Sequence, residues 1–324
     1  MYTHSFRFAF GVVLASSVAA GSAMAQSYPS RPVKVIVPIA AGSGIDLVAR
    51  SVSQRLQDDL KQPFIVENRA GAGTTTGAAA VATAEPDGYT ILFHSVALTI
   101  TPVTIAKLPY DVSRDLAGVM PIVNTPLLLV TPPGKFQSLA DLVAKAKALN
   151  GAMNYATPGY GAAAHFTSER LALAAGFKAQ MVSFRGTVEC MTEVLAGRMD
   201  FYFTPATTAL ELIRDKKLDA LATTSKKRLA AMPDVPTTLE QGYKNSDFDF
   251  WVGMLVPAAT PREIVDKLHA ETTKIADNAE FRAQMAALGG EPMEKMTPRE
   301  FDVFLSREVE RNIAIAKAAN IKPQ

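Results

Sequence analysis

The chain has 324 residues, 48% of them hydrophobic, with 33 Lys+Arg against 31 Asp+Glu and a single cysteine. That length accommodates two domains of ordinary size. The even charge, with no long Lys/Arg run, argues against a nucleic-acid partner, and the lone Cys190 excludes an internal disulfide. The first segment sets the compartment. "MYTHSFRFAFGVVLASSVAAGSAMAQ" has one Arg in a short polar head and an apolar stretch at 8–20. A bilayer span takes about 20 apolar residues, so this stretch is too short. It ends in Ala23-Met24-Ala25, a small-x-small cleavage pattern. Residues 1–25 are therefore expected to be a signal peptide, with Gln26 as the mature N-terminus and the periplasm as destination. No Cys stands at the cleavage point, so no lipid anchor is expected.

Beyond residue 27, short β-branched runs alternate with segments of helical spacing, the pattern of an α/β protein with parallel strands. "VKVIVPI" (33–39) is the first strand. In "DLVARSVSQRLQDDL", Val48, Val52, Leu56 and Leu60 are spaced by four, which predicts a helix with one apolar face. "FIVEN" from Phe64 and "YTILFHS" from Tyr89 are the next strands, each apolar enough to be covered on both faces. A new strand at 127–130 lies among Pro126, Pro132 and Pro133, followed by "MNYATP", "AQMVSF", "MDFYFT" and "LDALATTS". "RLAAMPDVPTTLEQGY" has the composition of a connection, and "FDFWVGMLVP" returns as a strand from Phe248. Amphipathic helices are expected at 261–276 and 298–319, each opened by a Thr-Pro pair. Crossings near 123–127 and 223–228 divide the strands into two lobes, 26–124 with 226–324, and an inserted 125–225. A ligand cleft is expected between them.

The loop "VPIAAGSGID" joins the first strand to the first helix. Gly42 and Gly44 bring bare backbone close to a ligand, and unpaired N–H groups at a helix N-terminus attract anions. Asp46 either caps the helix or receives a ligand's ammonium or hydroxyl; the alternative for the whole loop is a tight turn with no ligand. "NYATPGYGAAAHFTSE" has the same form in the second lobe, with Thr157, Gly159, Tyr160, Gly161 and Ala162 leading into a helix. His165 stands in its first turn, either hydrogen-bonding the loop or touching ligand. Ser95 and Thr204 end strands with hydroxyls. Arg185 follows a strand and either meets a carboxylate bidentately or is a surface arginine. Trp251 either walls the cleft or fills the core.

Catalytic and cofactor motifs fail. The chain lacks GxxxxGK[ST], "GAGTTTG" misses GxGxxG by one residue, and Gly42-Ser43-Gly44 is not a GxSxG elbow. His94, His165 and His269 have no zinc-ligand spacing, so no metal and no cofactor is expected.

"YPSRPVKVIVPIAAGSGIDLVAR", "VENRAGAGTTTGAAAVATAEPDGYTIL", "YATPGYGAAAHFTSE", "LAGRMDFYF" and "LDALATTSKKRLAAMPDVPTTLEQGY" together resemble the Bug family, the extracytoplasmic solute receptors of tripartite tricarboxylate transporters. The similarity runs in order from about Tyr28 to the C-terminus. It implies a two-lobe periplasmic binding protein of the Venus-flytrap kind, not an enzyme, that closes as a monomer on a small carboxylate. Its partners would be the membrane permease subunits or a signalling protein. Carried over, the carboxylate-holding loops are Ile39, Ala40, Ala41, Gly42, Ser43, Gly44 and Asp46 in one lobe, and 157–165 in the other. The family's Phe-x-Pro-Gly-Gly is replaced by Ile39, Ala41, Gly42 and Ser43. Alanines stand at 162 and 163 where Ser or Gly is usual, and Phe184-Arg185 replaces a Tyr-Lys or similar pair. Fewer hydroxyls and an added guanidinium would suit a flat or apolar acid with a second carboxylate, such as an aromatic dicarboxylate. The competing readings are a secreted serine hydrolase of small esters, using Ser43 or Ser95 with His94 or His165, and a scaffold with a vestigial cleft.

Overall fold

The computed structural model describes residues 28–324 apart from Leu288 and the side chain of Thr207, so the expected signal peptide lies outside the described residues. Eleven strands are present among them: β1 Val33–Val37, β2 Phe64–Asn68, β3 Thr90–Ser95, β4 Leu116–Asn124, β5 Leu127–Thr131, β6 Asn154–Thr157, β7 Gln180–Ser183, β8 Phe201–Pro205, β9 Asp219–Thr223, β10 Trp251–Pro257 and β11 Glu291–Pro292. They form two sheets, ordered β11-β4-β10-β3-β1-β2 and β7-β6-β8-β5-β9. Each sheet contains the same unit. β1 pairs in parallel with β2 on one side and β3 on the other, and β6 does so with β7 and β8. An antiparallel strand then extends each unit, β10 beside β3 and β5 beside β8.

The first helix, Gly44–Leu60, follows its sequence pattern. Val48, Val52 and Leu56 are buried, and Lys61 closes the helix in the left-handed conformation, donating its N–H to the Gln57 carbonyl. Cys190 is buried within the helix Thr187–Leu195, and burial pushes its thiol up to about 11, the condition of an inert side chain. Among the described residues, no helix is long and apolar enough to cross a membrane.

Two features depart from the periodicity. β4 carries Gly118 and Pro121 inside an apolar run and so lacks a clean strand signature. It is tolerated because Pro121 lies opposite Gly253 next to a register shift, where a missing N–H does least harm. The chain passes from the first sheet to the second at Thr125-Pro126 and returns near Asp249 and Phe250. The turn-rich 226–248 stays with the second sheet. The Thr223 amide bonds the Pro236 carbonyl (3.0 Å), the Thr238 amide bonds the Thr223 carbonyl (2.9 Å), and Phe248 reaches Thr224 (3.0 Å). Trp251 opens β10 fully buried, its ring edge-on to Phe301 and Phe304, so it fills the core.

The C-terminal helix Pro298–Ala318 starts with a capping box between Thr297 and Glu300. It lies on β4 and reaches across to the second lobe's helix Ala163–Ala175. Phe301 lets it sit close to the sheet, because Gly118 and Gly253 leave room for the ring: a Cβ at these positions would stand 2.5 and 2.8 Å from it. Phe301→Ala should therefore cost about 3–5 kcal/mol, and Gly253→Ala about 1–3 kcal/mol by overpacking. Urea denaturation of the two variants beside the parent protein reads both values.

Candidate functional site

In each sheet the chain leaves the central parallel strand, turns to one neighbour, and then crosses over to the other. The ends of β1 and β3 thus border one switch point, and the ends of β6 and β8 the other, positions where open α/β sheets bind ligands. The two glycine-bearing loops of the sequence leave from these points.

The first loop is shaped by a carboxylate. Asp46 is only 1% exposed. Its Oδ2 accepts the Gly42 amide (2.8 Å) and Arg50 Nε (2.9 Å), while Oδ1 accepts Asn68 Nδ2 (2.9 Å). Asn68 also donates to the Ile39 carbonyl (3.0 Å) and accepts from Arg50 Nη2 (3.0 Å). Burial works against ionisation, but the hydrogen bonds from Arg50, Gly42 and Asn68 outweigh it and hold the carboxyl below its usual range. Both oxygens of Asp46 are thus tied to the loop and its flanking elements, and the side chain is a strut for the loop. Ser43 caps the helix by accepting the Asp46 amide (3.3 Å). Ala40, Ala41, Gly42 and Gly44 remain exposed, Ile39 and Ser43 half-buried. The amides of Gly44 and Ile45, at the helix start, have no carbonyl ahead of them within the helix.

The second loop has no such cap. Ala162 precedes the helix Ala163–Ala175 with no side-chain capping bond, which leaves the amides of its first turn to other partners. Thr157 is buried and its hydroxyl donates to the Gly159 carbonyl (3.0 Å). His165 Nδ1 accepts the Gly161 amide (3.2 Å), and the ring lies tilted against Tyr160, with centroids 5.2 Å apart. An accepting Nδ1 requires neutral imidazole, and burial lowers His165 to about 4. Of the two roles open to this histidine, the geometry displays the one that fixes the loop.

The other candidates divide. Ser95 and Thr204 are buried at strand ends; Ser95 Oγ accepts the Ala97 amide (3.4 Å), and Thr204 shares a hydrogen bond with Thr208 (2.7 Å). Both hydroxyls are engaged in their own turns. Arg185 is exposed beyond β7, beside the Phe184 amide that bonds the Thr157 carbonyl (2.9 Å), and its own amide donates to Glu189 Oε2 (2.9 Å). His94 also lies buried, its Nδ1 accepting the Ser95 amide (2.8 Å) in place of a serine hydroxyl. Periodicity and motif reasoning passed over Asn68 and Arg50. The signal for Arg50 is its i,i+4 spacing from Asp46; Asn68 is found only through the register that sets it beside Val37.

The second loop meets the first lobe and the C-terminal segment. A Cβ on Gly161, at φ +77°, would stand 2.9 Å from Thr104 Cγ2, on the first lobe's helix Ala97–Thr104. The Tyr160 hydroxyl donates to the Lys322 carbonyl (2.8 Å) and accepts the Lys322 amide (2.7 Å). Gln324 in turn pairs with Thr104 and Ala106.

Comparison with known proteins places this arrangement. The tripartite tricarboxylate transporter family receptor (TctC) pattern matches residues 48–321. The chain belongs to that family. Protein BugT of Bordetella pertussis is 32% identical over 319 residues, 96% of each chain. Among solved structures, Rpa4515 of R. palustris with adipate superposes with a TM-score of 0.76 at 26% identity, covering 92% of this chain and 100% of the other. MatC from Rhodopseudomonas palustris with bound malate gives 0.72 at 27% identity, covering 89% and 99%. This TctC-family receptor accordingly has the two-lobe periplasmic binding protein fold and is a solute-binding protein; the serine-hydrolase alternative finds no support.

Two outcomes test the loop chemistry. Asp46→Ala leaves the Gly42 amide, Arg50 and Asn68 without their acceptor and should lower stability by about 1–3 kcal/mol, measured by chemical denaturation. His165 and His94 are both lowered to about 4 by burial. The unfolded chain takes up these protons from about pH 6.5 downward while the folded protein refuses them, so stability should fall as pH drops from 6.5 to 4. Thermal melts across that window should show the fall, and His165→Gln should lessen it, with His94 carrying the remainder.

Proposed function

We propose that this receptor captures a small carboxylate between the loops 39–46 and 157–165, in the periplasm, and hands it to the membrane permease subunits of a tripartite tricarboxylate transporter. One observation carries the reading. Each lobe carries a parallel-sheet switch point followed by a helix N-terminus, and the second loop abuts the first lobe, where Gly161 stands against Thr104. Such amides hold an anion without a charged side chain, which accords with the buried, engaged state of Asp46, Ser95, Thr157 and Thr204. Asp46 and Thr157 support the loops, Ser95 and Thr204 support their own turns, and the direct contacts come from backbone at 40–44 and 161–165.

Arg185 gives the preference for diacids. It is the exposed cation beside the second loop, and a guanidinium meets a carboxylate bidentately. The adipate and malate of the two solved relatives support a dicarboxylate, and the small side chains at 40–42 and 162–164 leave room for an apolar or flat spacer. The lobes hinge at 124–127 and 249–251, so that ligand closes the cleft and presents a changed surface to the permease.

Thermal melts of residues 26–324 with adipate, malate, terephthalate, benzoate and citrate test this. At 100 times its Kd a ligand adds about 2.7 kcal/mol of stability, a clear rise in Tm. A dicarboxylate should raise Tm most. Arg185→Ala should weaken diacids at least tenfold and leave benzoate unchanged. Protein freed of ligand by unfolding and refolding that responds to none of the five would overturn the reading.

A further inference from the structure

The second lobe's helix Ala163–Ala175 carries the loop amides at its start and, two turns further on, a buried charge. Arg170 is 2% exposed. Its Nη2 donates to Glu308 Oε2 (2.8 Å) and Asn312 Oδ1 (3.1 Å), both on the C-terminal helix, and its Nη1 donates to the Asp247 carbonyl (2.9 Å) on the segment that returns to the first lobe. Phe248 lies under the guanidinium at 4.8 Å. Glu308 is 8% exposed and Asn312 fully buried. Asn312 donates onward to the Thr99 carbonyl (3.0 Å) and hydroxyl (3.1 Å). Arg311 closes the ring by binding Asp247 Oδ1 (2.9 Å) and approaching Glu308 (3.6 Å).

Two separate pieces of chain thus converge on the guanidinium of a third, and all are placed where the lobes meet. Thr99 sits on the helix that ends in Thr104, the residue touching Gly161. Arg170 and the loop amides belong to one rigid helix, so the angle of the side-chain fork relative to Glu308 and Asn312 fixes where those amides lie relative to the first lobe. A planar donor with several N–H groups in fixed directions suits this task; a lysine ammonium does not. A buried ion cluster is weak evidence for stability but a recognised device for registering one element against another.

We infer that the Arg170 cluster is the register pin of the hinge: Arg170 is a positioning residue that sets the relative orientation of the lobes before ligand arrives, without touching ligand. This rests on the proposed function only for its consequence on affinity; the orientation itself is measurable without any ligand.

The experiment is double electron–electron resonance on the ligand-free receptor, with spin labels at Gln57→Cys and Arg214→Cys, both exposed and one in each lobe, in a Cys190→Ser background. The parent protein should give one narrow distance distribution. Arg170→Met should broaden it at least twofold while circular dichroism shows a folded protein, and Arg170→Lys should fall between. Glu308→Gln keeps the shape and removes one charge; it should also broaden the distribution and serves if Arg170→Met does not fold. A distribution as narrow as the parent's in the folded variants would overturn the inference. With adipate as probe, the same variants should lose at least tenfold in affinity. Failure of the parent to bind adipate would bear on the choice of ligand and leave the label distances to decide the hinge.

Discussion

A carboxylate taken out of water must be satisfied where it lies, since an unpaired buried charge costs several kcal/mol or is neutralised instead. Asp46 meets this requirement through one main-chain amide and two side chains drawn from three elements: the loop after β1, the helix that follows, and β2. The loop conformation is a consequence. Gly42 must turn its N–H inward at φ +81°, a conformation glycine adopts without strain, and Asn68 must hold the Ile39 carbonyl. What remains facing outward is backbone with small side chains. In the proposed reading, the loop's capacity to meet an anion derives from an anionic side chain facing the other way.

The second loop solves the same problem with different chemistry. It has no acid and no cap; a histidine that burial keeps neutral orders Gly161. Repetition of one topological unit in both sheets explains why two unrelated local solutions end at comparable positions. The turn after the central parallel strand is where a βαβ unit exposes its helix N-terminus, whatever residues line it. In the proposed reading, two such ends bordering one cleft would hold a negatively charged solute through backbone groups, and side chains such as Arg185 would discriminate among acids.

Between the lobes, the C-terminal helix touches β4 of the first sheet and the helix that carries the second loop. Phe301 seats it on the first sheet through the gap left by Gly118 and Gly253, and Glu308 and Asn312, further along, receive Arg170 from the second lobe. Apolar packing holds it at one end and a buried polar cluster at the other. Such a division suits a joint that must keep register while the crossing strands bend.

Much of this was legible in residue order. The four-residue spacing of Val48, Val52 and Leu56 determined the first helix, the apolar runs from Phe64 and Tyr89 determined their strands, and the small residues after β1 and β6 marked both loops. These are local signals, carried by period and by the backbone freedom of glycine. Tertiary structure alone decided that β4 is a strand despite Pro121, that 226–248 stays with the second sheet, and that Trp251 is core. It alone turned Asp46, Ser95, Thr157 and Thr204 inward and joined Arg170 to residues more than 130 positions away. The reason is physical: a side chain's role depends on which donors and acceptors reach it first, and for these residues decisive partners come from distant segments or from turns whose geometry the packed sheet imposes.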